Sequence, residues 1–186
     1  VKLVAFALLG FWALALLSFA GLAARTLPLP GSLLGLAAFT PDVGTLLLVT
    51  FASRLERGDA RAAAFVVAMA RAALGADSPL ALLAAAWATA EACAFVRTQL
   101  TLDGRVVRAV LCGVLAGAHA AFLSWCAAVR APTPVSPERD VVDYALPAAL
   151  ATLLLALVVG AALRHLPGLS ALWRTEAAWQ HAEPAR

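Results

Sequence analysis

Charge is what this sequence has least of. Asp, Glu, Lys and Arg make up 13% of its 186 residues, against about 25% in an ordinary soluble domain. With 63% hydrophobic residues and a mean hydropathy of +0.88, that deficit excludes a water-soluble domain and points to an integral membrane protein. Cysteine is scarce as well. Cys93, Cys112 and Cys126 all fall in apolar runs, with no Cys-x-x-Cys pair or other metal-ligand spacing, and they read as small buried side chains. Enzymatic signatures are missing: there is no Ser-x-x-Lys, His-Glu-x-x-His, glycine-rich phosphate loop or paired-carboxylate arrangement. Asp140 and Asp143 lie three apart, but beside Arg139 and several prolines they read as solvated charges. The net charge of +3 calls for no nucleic-acid partner. The expectation is a chain without enzymatic activity, cofactor or metal.

What the sequence does have is apolar runs. A helix that crosses a bilayer needs about 20 such residues, and the chain accommodates six with short connections, which predicts an all-α membrane protein. Leu3 to Ala24 is the first run. It exceeds the 7–15 residues usual for a signal-peptide core and reads as a retained helix. Leu27-Pro28-Leu29-Pro30-Gly31 turns the chain, because two prolines remove donors and restrict their neighbours. The second run covers about Leu33 to Ser53, with Pro41 either kinking it or ending a short pre-helix near Phe39. Ala60 to Gly75 is the third, short and Ala-rich. Asp77-Ser78-Pro79 is a tight turn, with Pro79 suited to the first turn of the next helix. The fourth run is Leu80 to Val96, followed by a polar loop from Thr98 to Arg108, and the fifth is Val106 to Val129. A proline-rich surface loop leads to the last, Tyr144 to Leu163. The expected division is therefore a six-helix domain over 1–165 and a short tail over 166–186, whose Trp173 and Trp179 suit a membrane interface.

Basic residues predict the orientation. With six spans, one side carries ten: Lys2, Arg54, Arg57, Arg61, Arg97, Arg105, Arg108, Arg164, Arg174 and Arg186. The other carries only Arg25, Arg130 and Arg139. The positive-inside rule then puts both termini in the cytoplasm.

Four ionisable groups remain inside the runs: Asp42, Arg71, Glu91 and His119. Counted from the nearest basic residue at the cytoplasmic side, Asp42, Arg71 and His119 stand at ~18, ~15 and ~16 Å, and Glu91 at ~9 Å. The first three share a level. Each costs about 2.5–3.5 kcal/mol at the bilayer centre even on a lenient scale, so each needs a partner. A proton relay or substrate cavity is one reading, and a buried ion pair that pins helix to helix, or faces a partner, is the other. The second is favoured, because the four lie scattered without a repeat. Glu91 is expected to lean towards Arg97 or Arg61. Small residues mark the helix-packing or partner faces: Ala60, Ala64 and Ala68 on the third helix, and Gly113 and Gly117 on the fifth.

The stretch from Thr40 to Ala81 resembles the bacterial rod shape-determining membrane protein family MreD. The matching features are Pro41-Asp42 entering a Leu-rich helix (Leu46-Leu47-Leu48), a short basic loop from Arg54 to Arg61, and an Ala-rich helix that ends in Asp77-Ser78-Pro79-Leu80. The chain departs from the family at Ala72-Ala73, where an Asp is usual, and at Ala81, where a Gly is usual. The resemblance implies a non-enzymatic scaffold of the cell-elongation complex in the bacterial inner membrane. It would bind MreC, and through it RodA, a class B penicillin-binding protein and the MreB filament, and so help control cell shape and peptidoglycan synthesis. It also implies a fold similar to the substrate-binding subunits of energy-coupling-factor transporters. That supplies the alternative of a vitamin-type small-molecule-binding subunit, against which stand the single tyrosine, Tyr144, and the few polar residues at the outer ends of the runs. A proton-coupled carrier using Asp42, Arg71 and His119 is a third option.

Overall fold

The computed structural model describes residues 2–26, 40–75, 77–99, 104–130, 144–169 and 172. These form six α-helices and no strand: α1 (Lys2–Thr26), α2 (Val43–Ala52), α3 (Arg57–Leu74), α4 (Pro79–Gln99), α5 (Arg105–Arg130) and α6 (Leu146–Val159). A 3-10 turn, Ala162–His165, comes after α6. Among the described residues, three stretches are long and apolar enough to cross a membrane: Lys2–Leu22, Pro79–Gln99 and Arg105–Arg130.

The short helix α2 is the centre. Its ten residues carry no charge, and every one from Gly44 to Ala52 is buried, as expected of a helix that is apolar all round. Around it, each neighbour turns one stripe inward. From α1 come Ala5, Leu9 and Ala13, a four-residue spacing that keeps them on one face, while Leu3, Phe11, Phe19 and Leu22 stay exposed. From α3 come Ala60, Ala63, Ala64, Val67, Ala68 and Ala70. Small side chains let these backbones close up: a Cβ built on Gly10 of α1 would lie 3.1 Å from Val66 Cγ1 of α3. Helix α5 packs chiefly on α6, and α3 on α4, α1 and α2.

Several expectations need correction. The second run does not form one helix through Pro41. Pro41 and Asp42 are non-helical, and Asp42 caps α2 with its side chain, so α2 is ten residues, about 15 Å, and Pro41 is no kink within it. Residues 33–39 and the first turn at 27–31 lie outside the described residues. The polar loop expected from Thr98 to Arg108 is helical at both ends, since α4 runs to Gln99 and α5 starts at Arg105; residues 100–103 lie outside the described residues. Composition marks where an apolar run stops, and a helix continues past it while its residues remain good helix formers. The last helix ends at Val159 and gives way to the 3-10 turn.

Residues beyond 165 also reach this core. Leu169 and Leu172 are buried and Leu166 packs against the same core. Gly168, at φ +82, takes a left-handed conformation open to glycine and returns the chain to α1. There the Trp12 indole N–H donates to Pro167 O at 3.2 Å. Trp173, Trp179 and the proline-rich loop at 131–143 lie outside the described residues.

Candidate functional site

A polar hub sits where α2 begins. Asp42 is the N-cap: its Oδ1 accepts the Thr45 backbone N–H at 2.9 Å, and its Oδ2 accepts the Thr45 hydroxyl at 3.0 Å. This is local chemistry, because a cap carboxylate satisfies one of the orphan donors of the first helical turn. The long-range partner is Arg71 of α3, whose Nη1 donates to Oδ1 at 2.8 Å and Oδ2 at 2.7 Å. The Asp42 side chain is only 8% exposed and that of Arg71 25%, so the pair is largely out of solvent. The backbone N–H of Asp42 donates to Thr152 Oγ1 of α6 at 2.8 Å, and that hydroxyl passes its own proton to Ala148 O at 2.7 Å.

The hub reaches α5 through His119. Thr45 Oγ1 lies 3.2 Å from His119 Nδ1. A hydroxyl has one proton, and Thr45 gives it to Asp42, so it meets the ring as an acceptor and Nδ1 carries the hydrogen. A neutral imidazole in that tautomer presents Nε2 as a lone pair. His119 is buried, and Nε2 is the single buried side-chain nitrogen or oxygen among the described residues without a hydrogen-bond partner. Leaving such an atom unpaired costs about 1–3 kcal/mol.

Helices α2, α3, α5 and α6 are thus joined at one knot by Asp42, Thr45, Arg71, His119 and Thr152. Of the four ionisable groups named from the sequence, it gathers Asp42, Arg71 and His119 and excludes Glu91. Glu91 lies towards the other end of the bundle. Its Oε2 takes Arg57 Nη2 at 2.6 Å and its Oε1 takes Arg61 Nε at 2.6 Å, while Arg61 also lies over the Trp87 ring. Arg97 is not its partner; Arg97 Nη1 donates instead to Leu55 O at 2.7 Å. Lys2 of α1 pairs with Asp59 at 2.9 Å. These bonds bring the starts of α1 and α3 and the end of α4 together.

The family-like turn caps α4. The Ser78 carbonyl accepts Leu82 N–H at 3.0 Å, Pro79 is the first helical residue, and Asp77 and Leu80 are exposed. The small-residue faces are turned inward rather than towards a partner. Ala60, Ala64 and Ala68 are buried in the core. A Cβ on Gly113 would lie 3.0 Å from Ala149 O and Leu153 Cβ of α6, and one on Gly117 3.1 Å from Ala149 Cβ. Small residues permit close approach, and here this chain's own helices use it.

Two hub residues escaped the sequence reading. Thr45 had a signal, since a polar residue three after a cap Asp is the position a capping side chain bonds. Thr152 had none: 110 residues separate it from Asp42, and one hydroxyl in an apolar run points nowhere by itself.

The described residues are thus all-helical, with three candidate membrane-crossing helices and a buried charged knot where α2 begins. Comparison of the chain with protein-family models, with curated proteins and with solved structures gave no match.

Proposed function

We propose that this chain is a multi-pass scaffold of the bacterial cell-elongation complex, a member of the rod shape-determining MreD family, with six helices in the inner membrane and both ends of the chain cytoplasmic. The observation that carries the reading is the position of the stretch bearing the resemblance. Residues 40–81 hold α2, the most buried helix, and the Pro41-Asp42 pair just before that helix supplies the carboxylate that ties α3 and, through Thr45, α5. Hub groups engaged with one another in this way hold helices in place rather than turning over a substrate. The orientation is supported by Lys2, Arg57, Arg61 and Arg97 gathering at one end of the bundle, the arrangement a cytoplasmic face favours.

With the alanine and glycine faces occupied internally, partners are left the outer apolar surfaces. The candidates are Phe11, Leu14 and Phe19 of α1, and Leu150, Leu154 and Val158 of α6. Purification of the tagged chain from native membranes in mild detergent, with mass spectrometry of the co-purifying proteins, should recover MreC and, with it, RodA and a class B penicillin-binding protein. Recovery of transporter ATPase subunits in their place would refute the assignment.

A further inference from the structure

Helices α4 and α5 are consecutive, yet they pack lightly on one another, because α5 is drawn to α6 and α4 to α3. The gap between them is a cleft of about 370 Å³, lined by Ala84, Ala88 and Ala92 of α4 and by Leu115, Ala118, His119 and Phe122 of α5. That volume is within the range of ligand pockets and takes about a dozen water- or methylene-sized groups. We infer that the cleft is a binding site for a long-chain alcohol drawn from the bilayer, its hydroxyl donating to His119 Nε2 and its hydrocarbon lying along the alanines.

The chemistry of the walls selects that ligand. His119 is 6% exposed, and its Nε2, buried and without a partner among the described residues, meets the hydroxyl after a small tilt of the ring towards the cleft. The chain of bonds from Nδ1 through Thr45 to Asp42 makes Nε2 an acceptor, so the missing group is a donor. The other polar wall residue, Thr89, already gives its proton to Ala85 O at 2.9 Å. Everything else is hydrocarbon. A polyol or an ammonium would leave donors unpaired against alanine, and a lone water would leave most of the apolar cleft unfilled. A single hydroxyl on an apolar chain meets both demands.

The site is independent of the elongation reading, and its test uses the purified protein alone. In nanodiscs, a diazirine-bearing C16 primary alcohol should label peptides spanning residues 84–92 and 115–122. It should do so about 2- to 10-fold more than its methyl ether, the preference one net hydrogen bond supports. Ala88→Phe, which fills the cleft from α4 and leaves the hub alone, should cut labelling by both probes about tenfold. His119→Phe should bring alcohol and ether to parity. Equal labelling of wild type by the two probes, or alcohol labelling undiminished in Ala88→Phe, overturns the proposal even if His119→Phe fails to fold.

Discussion

Asp42→Ala and Arg71→Ala will each destabilise the folded protein by about 3–5 kcal/mol, the usual cost of stranding one member of a buried ion pair. Asp42→Ala will be the worse of the two. It also removes the α2 cap, an effect of about 1 kcal/mol, and takes the acceptor from the Thr45 hydroxyl. Asp42→Asn separates these contributions, because an amide oxygen still caps Thr45 while the charge is gone. In the double variant Asp42→Asn/Arg71→Met no buried charge remains, and exchange of a buried pair for neutral groups of similar size is often close to neutral. Its stability should therefore return to within about 1–2 kcal/mol of wild type. Reversible unfolding in mixed micelles reads all four. A double variant as poor as the sum of the singles would mean that Asp42 and Arg71 act separately.

Gly113→Leu should be the most damaging single change on α5. A Cβ alone at this position meets Ala149 O and Leu153 Cβ at 3.0 Å, tighter than ordinary van der Waals contact, and leucine adds three more carbons behind it. One contact is backbone, so the relief is a shift of α6 away from α5. That shift stretches the bond from Asp42 N–H to Thr152 Oγ1 and so loosens the hub. Overpacking costs typically 1–3 kcal/mol, and the coupled hydrogen bond about 1 more. Val114→Leu, one residue on and 62% exposed, should stay within about 0.5 kcal/mol. Equal stability of the two variants would show that α5 and α6 do not pack as described.

The structure also shows which parts of this fold a sequence carries. Helices α3, α4 and α5 were legible to within three residues, since apolar runs bounded by charge define them. The Asp42–Arg71 pairing was legible too, because counting ~1.5 Å per residue from the basic ends sets two charges at one depth. Depth is not azimuth, however. The same count could not tell which way Gly113 and Gly117 face, and they meet α6 rather than another protein. For Glu91 it offered Arg97 or Arg61, of which Arg61 is a partner, but it missed Arg57, because the choice among these arginines depends on how α3 rotates against α4. Thr152 was out of reach for the same reason: its role exists only once α6 has docked beside the cap of α2.

The central proposal, that this chain holds the elongation machinery together, is tested most directly by depleting it in its host and measuring cell width over successive generations. On that proposal, depletion should turn rods into widening, rounded cells, and the wild-type chain supplied in trans should restore them. Cells that keep their rod shape while losing uptake of a vitamin would contradict the account and favour a substrate-binding transporter subunit.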